Sequence, residues 1–84
     1  MPTPKFDICA GGTVNTTDTT FDLKNDHNQS CNVAWVAPVP PGSSSFTVPA
    51  KTTYSVSCSG WPCGTYTYTA SCCDQLTNPK IIMQ

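Results

Sequence analysis

The residues of this chain with the widest chemical range are six cysteines, Cys9, Cys31, Cys58, Cys63, Cys72 and Cys73, and one histidine, His27. Thiols can pair as disulfides, bind a soft metal as thiolates, or exchange electrons through a reactive disulfide. Compartment and spacing choose among these. Six cysteines in 84 residues is the density of a small exported domain stapled by disulfides, because cytosolic thiols are kept reduced. Structural zinc sites usually draw on knuckles with two to four residues between the cysteines, and the adjacent pair Cys72-Cys73 is not a knuckle. A redox-active vicinal disulfide at Cys72-Cys73, a strained eight-membered ring, is a further alternative. Six cysteines allow about 15 pairings, so spacing alone assigns none of them.

The other side chains point away from catalysis. His27 lies in the polar turn Asp26-His27-Asn28-Gln29 and reads as a solvated turn residue. A triad needs a nucleophile and an orienting acid close in space, which a neighbouring Asp26 does not supply. The five acidic residues are scattered, with no pair suited to glycoside hydrolysis. No enzyme activity and no cofactor are expected. The net charge of -1 includes no basic stripe, which argues against a nucleic-acid partner. Thr65, Thr67 and Thr69 form one threonine row, too small for an ice-matching plane and ordinary for an exposed strand. Trp35 reads as core. Trp61, between Gly60 and Pro62, is the candidate exposed recognition aromatic; its alternative is a lid packed over its own loop. Asn15-Thr16-Thr17 and Asn28-Gln29-Ser30 are glycosylation acceptors if the source is a secreted eukaryotic protein.

These residues must be positioned by strands. No window places apolar residues at helical spacing, whereas period-two alternation of β-branched and aromatic residues recurs between Gly, Pro and Asn. The pattern predicts strands over 5–9 (closed by Gly11-Gly12), 19–24, 31–37, 45–48, 53–58, 65–70 and 80–83. About seven short strands in a single domain, 1–84, make an all-β sandwich or barrel. Near this size a hydrophobic core alone is marginal, which again favours disulfide staples.

From Thr19 onward the order of features resembles the cupredoxin (plastocyanin-like) fold. The segment 20–26, Thr-Phe-Asp-Leu-Lys-Asn-Asp, is similar to the family's strand leading into the first copper-ligand turn. Ser30-Cys31-Asn32-Val33 stands where the family has Pro-His-Asn-Val. The segment 46–54, Phe-Thr-Val-Pro-Ala-Lys-Thr-Thr-Tyr, resembles the approach to the penultimate strand. Gly64-Thr65-Tyr66-Thr67-Tyr68 resembles the strand before the ligand loop, and Pro79-Lys80-Ile81-Ile82-Met83 the final strand. The resemblance implies a Greek-key β-sandwich.

The copper ligands themselves are missing. A type 1 centre takes two imidazoles, one thiolate and a weak axial group. Here the first ligand position holds Cys31, the ligand-cysteine position holds Ala70, and no histidine follows. No type 1 copper site and no metal are expected. The resemblance instead brings Cys9, Cys31, Cys72 and Cys73 to the copper pole, as two disulfides. Adjacent residues in an extended chain point to opposite sides, so Cys72 and Cys73 need different partners. Cys31 with Cys72 and Cys9 with Cys73 is the expected pairing, with the crossed pairing as its alternative. Cys58 and Cys63 fall at the opposite pole and are expected to pair across Ser59-Gly60-Trp61-Pro62.

The resulting expectation is a non-enzymatic exported binding or structural module, cupredoxin-like and disulfide-stabilised, whose metal site is replaced by disulfides. Its contact surface would be the loop from Val36 to Ser45 together with Trp61, and its partner a protein or a carbohydrate. One alternative is a thiolate protein holding zinc or Cu(I) through Cys9, Cys31, Cys72 and Cys73; another is a small cysteine-rich toxin or inhibitor. No run approaches the roughly 18 apolar residues of a membrane span. The segment 1–6 has no apolar signal region, so a secreted or periplasmic location would apply to a mature form with an added Met1, expected to be a monomer.

Overall fold

A computed structural model describes residues 3–74 and 78–84; the supposed added Met1 lies outside the described residues. Eight strands follow one another along the chain: β1 (Lys5–Asp7), β2 (Gly11–Val14), β3 (Thr20–Asn25), β4 (Cys31–Trp35), β5 (Phe46–Val48), β6 (Thr52–Ser57), β7 (Gly64–Ala70) and β8 (Lys80–Met83). They build two sheets, β1-β3-β6 and β2-β8-β7-β4-β5. The first pairs β1 parallel to β3 and β3 antiparallel to β6. The second pairs β2 parallel to β8, with the remaining neighbours antiparallel.

Alternation decides which face each strand buries. On β3, Phe21, Leu23 and Asn25 point inward, and on β7 Tyr66, Tyr68 and Ala70 do. With Ile8, Val14, Val33, Val48, Val56, Ile81 and Met83 they fill the space between the sheets. Each fully buried Ile, Leu or Phe side chain contributes about 1.5 to 3 kcal/mol relative to exposure. An aromatic file runs through this core: Phe21 meets Trp61 edge-on at 5.8 Å, Trp61 meets Trp35 at 5.4 Å, and Trp35 meets Tyr68 at 5.5 Å.

The expected first strand ends earlier than alternation suggested, and one strand was not anticipated. The chain leaves β1 at Asp7, turns through Cys9, and enters the other sheet as β2. Gly11 and Gly12 therefore start a strand rather than close one. The reason is close packing. A Cβ on Gly11 would strike the backbone of Lys80 in β8, and one on Gly12 would strike the Phe6 ring. Gly11 also has a φ of 68°, which glycine adopts without steric cost. β4 likewise stops at Trp35, two residues short of expectation, ahead of the proline-containing stretch 36–45.

Candidate functional site

Four connections converge at one end of the sandwich: the β1–β2 turn, the β3–β4 turn, the β5–β6 turn and the segment after β7. Each is held by its own polar residues. In the β1–β2 turn, Ala10 N–H donates to Asp7 O at 2.9 Å and Cys9 N–H donates to the Asp7 carboxylate at 2.8 Å, an Asx-type closure. The buried Tyr68 hydroxyl donates to Ile8 O at 2.8 Å and ties this turn to β7. Burial pushes the Tyr68 phenol well above its ordinary pKa, and the Asp7 charge adds to the shift.

Asn25 organises the next two turns. It is the buried polar side chain among the described residues, and its amide Nδ2 donates to Gln29 O at 3.0 Å and to Val48 O and Pro49 O at 3.2 Å. Its Oδ1 accepts from His27 N–H at 2.9 Å. Across the gap, Lys51 N–H donates to His27 O at 3.2 Å, and its ammonium donates to Asp26 O at 2.6 Å. Lys51 adopts a φ of 57° to do so, a left-handed conformation uncommon for a residue with a Cβ. His27 is thus fixed at its backbone from two sides. The side chain is half-buried rather than solvated as the sequence suggested, and its Nε2 lies 3.5 Å from Cys9 Sγ.

After β7, Ser71 N–H donates to Asn32 O at 2.9 Å and Ser71 Oγ accepts from Asn32 N–H at 2.8 Å. Cys73 N–H donates to Ala70 O at 3.0 Å, so the chain turns back immediately. That turn presents the two adjacent thiols to different partners. Disulfides join Cys9 to Cys73 and Cys31 to Cys72. Cys31 is fully buried, and its Sγ also accepts from Cys72 N–H at 3.2 Å. Cys72 and Cys73 do not bond to each other; their Sγ atoms stand 4.0 Å apart.

Cys58 and Cys63 correct an expectation, for both are free: Cys58 is buried and Cys63 exposed. The turn between them is closed by Trp61 instead. Trp61 N–H donates to Cys58 O at 3.1 Å, with Gly60 at a φ of 84°, as a type II turn requires at its third position. The indole then plugs into the core against Phe21, Trp35 and Tyr66. Cys58 is drawn inward, its Sγ 3.6 Å from Asp18 O, and burial, followed by the Asp18 charge, pushes its thiol pKa up. Trp61 retains only 5% of its surface exposed and is not the exposed recognition aromatic proposed from sequence; it is the lid of its own loop.

An open groove lies along the other side of β4, β5 and β6. Trp35, Phe46 and Tyr54 line it with Ser43, Ser44, Ser55 and Ser57, around a cavity of about 290 Å³. Phe46 and Tyr54 stack at 4.5 Å with nearly parallel rings. Beside it, Val36 and Val39 are exposed on the loop that precedes β5.

The two-sheet architecture is a cupredoxin-like fold. Three Cu(I)-form structures of amicyanin mutants, one of them reduced at pH 4, superpose on this chain with a TM-score of 0.61. Each is 21% identical to it, over 98% of this chain and 70% of the amicyanin chain. No family model and no curated protein matches the sequence. The donor set at the pole does not fit the copper that those proteins carry. A type 1 centre takes two imidazoles, whereas His27 is the only histidine, Ala70 ends β7, and Cys31 and Cys73 are both bonded to sulfur.

Proposed function

We propose that this protein is an exported, non-enzymatic binding module in which two disulfides take over the mechanical role that a metal would have at this pole. The observation that carries the reading is the pair of bonds Cys9–Cys73 and Cys31–Cys72, which lock three connections together in place of a metal. Disulfides of this kind persist in oxidising compartments, and no helix among the described residues is long and apolar enough to cross a membrane. The binding face of this reading is the groove of Trp35, Phe46 and Tyr54. Its lining carries aromatic rings and serine hydroxyls and no charged side chain, which suits a neutral carbohydrate: apolar sugar faces pack on rings while hydroxyls exchange hydrogen bonds.

The decisive experiment is intact mass before and after alkylation, with elemental analysis, on protein purified from an oxidising compartment. One alkylation in the folded state, at Cys63, and a second at Cys58 on denaturation, with no metal, is the expected result. Alkylation of all six cysteines with stoichiometric metal overturns the reading. For the groove, a neutral oligosaccharide array should give binding that Tyr54→Ala abolishes; selective capture of charged glycans alone would contradict the assignment.

A further inference from the structure

The disulfide pole contains more donor atoms than two disulfides need. Cys9 Sγ, His27 Nε2, Cys72 Sγ and Cys73 Sγ all lie within 4.8 Å of one another, and all four residues are half-buried. We propose that, once both disulfides are reduced, these four residues form a tetrahedral three-thiolate, one-imidazole site for a single Zn²⁺. The proposal goes beyond the binding-module reading and rests on it only for the placement of the cysteines at one pole.

The geometry supports this ligand set over one of four cysteines. With Zn–S near 2.3 Å and Zn–N near 2.0 Å, tetrahedral ligands sit about 3.8 Å apart for two sulfurs and about 3.5 Å apart for sulfur and nitrogen. Cys72 Sγ and Cys73 Sγ are already 4.0 Å apart, and Cys9 Sγ and His27 Nε2 are 3.5 Å apart. Two edges of the tetrahedron therefore exist in the oxidised protein. The edge between Cys9 and Cys73 must lengthen when their bond is broken, which small side-chain rotations provide. Cys31 does not complete the set. It is fully buried, outside the group, and already accepts the Cys72 N–H; reduced, it stands behind the site. His27 is the residue that replaces it, and its backbone is fixed by Asn25 and Lys51. Preorganised backbone reduces the ordering that metal binding must otherwise impose.

The chemistry balances with an external dithiol as reductant. Each protein disulfide accepts two electrons and two protons, and each dithiol leaves as its own cyclic disulfide. Zinc then displaces the protons of Cys9, Cys72 and Cys73 and takes the lone pair of neutral His27, releasing three protons and leaving a site of net charge -1. Reductant can approach through the hollow of about 520 Å³ that Cys73 lines with Asn32 and Thr69.

The test uses the full chain, fully reduced by a phosphine under argon, with Zn²⁺ affinity measured by competition against a chromophoric chelator. Co²⁺ absorption serves as the spectroscopic probe, and near-UV circular dichroism reports the fold. The expected result is one Zn²⁺ per chain, a native-like near-UV spectrum in the zinc form, and a cobalt spectrum of three thiolates. Replacing His27 by Ala should weaken zinc by more than roughly 100-fold, beyond the loss expected for an outer-shell partner. Cys31→Ser should change affinity by less than about tenfold, which the same comparison makes the mark of a residue outside the ligand set. Several results overturn the proposal: no stoichiometric zinc after reduction, a reduced chain that zinc does not restore, or a four-thiolate cobalt spectrum lost in Cys31→Ser and unchanged in His27→Ala. A metal-free, disulfide-bonded protein as purified, with no zinc site after reduction, would sink this inference and leave the proposed function standing. Metal and free thiols in the protein as purified would do the reverse.

Discussion

Removing one disulfide at a time measures what the clasp does. Alone, Cys9–Cys73 and Cys31–Cys72 span sequence separations of 64 and 41 residues. Because Cys72 and Cys73 are adjacent, the bonds are not independent. When one is present, the other closes a ring that runs from Cys9 to Cys31 and returns through the Cys72-Cys73 peptide, about 25 residues in all. The chain-entropy model assigns that ring about 3.5 kcal/mol, the loss when Cys9–Cys73 is cut, and about 0.4 kcal/mol less when Cys31–Cys72 is cut, because the longer loop remains. For a domain of this size these losses correspond to a melting temperature lowered by about 12 to 28 °C. The shared ring makes the comparison informative. Both variants derive from the same doubly bonded chain, so their entropies differ only through the loop each retains, with separations of 64 in C31A/C72A and 41 in C9A/C73A, about 0.4 kcal/mol in favour of C31A/C72A, and the rest of the difference reads burial. Cys31 is fully buried and accepts a backbone N–H, whereas Cys9 is only half-buried. The C31A/C72A variant should therefore be the less stable, by about 0.6 kcal/mol, a small-cavity cost of about 1 kcal/mol in a packed core less that entropy difference. Urea denaturation of both variants, followed by far-UV circular dichroism and with the remaining disulfide intact, gives the values. Losses under about 1 kcal/mol in both would refute the argument that these bonds hold the pole together.

Three further outcomes follow from other parts of the structure. Asn25→Ala leaves three carbonyls and the His27 N–H without their side-chain partner; a loss of at least about 3 kcal/mol is expected in urea unfolding, since each unmet buried group costs about 1 to 3 kcal/mol. Tyr68 has its phenol pKa raised from an ordinary 10.0 by burial first and the Asp7 charge second. The unfolded chain therefore releases this proton at lower pH than the folded one. Stability is fully present below pH 10 and falls as pH rises above it, by up to about 1.4 kcal/mol per pH unit; Tyr68→Phe should remove that component of the slope while lowering stability at neutral pH. Trp61→Ala empties the plug between Phe21, Trp35 and Tyr66. It should cost about 3 to 5 kcal/mol and increase the rate of Cys58 alkylation, measured by mass against time, while an unchanged rate would mean that Trp61 does not shield this thiol.

Period-two alternation and turn residues announced the sandwich, because a strand with one face in the core must alternate whatever it pairs with. The inward residues of β3 and β7, Phe21, Leu23, Tyr66 and Tyr68, are legible in this way. So is the absence of a type 1 copper site, which follows from a single histidine and needs no coordinates. The density of cysteines likewise implied disulfides from composition alone.

Contacts between distant segments decided the rest. Gly11-Gly12 looks like a terminator locally, yet it starts β2, because the backbone of Lys80 and the ring of Phe6 lie against it. Trp61 between glycine and proline looks exposed, but it is buried by Phe21 and Trp35, which lie 40 and 26 positions earlier in the chain. That plug occupies the turn in which Cys58 and Cys63 were expected to meet. His27 shows the same limit most clearly. Its neighbours in sequence are polar and say solvent, whereas Asn25 and Lys51 turn it toward Cys9. Side-chain alternation is a local property and can be read along the chain; proximity between loops depends on how the two sheets stack, and only the folded structure sets it.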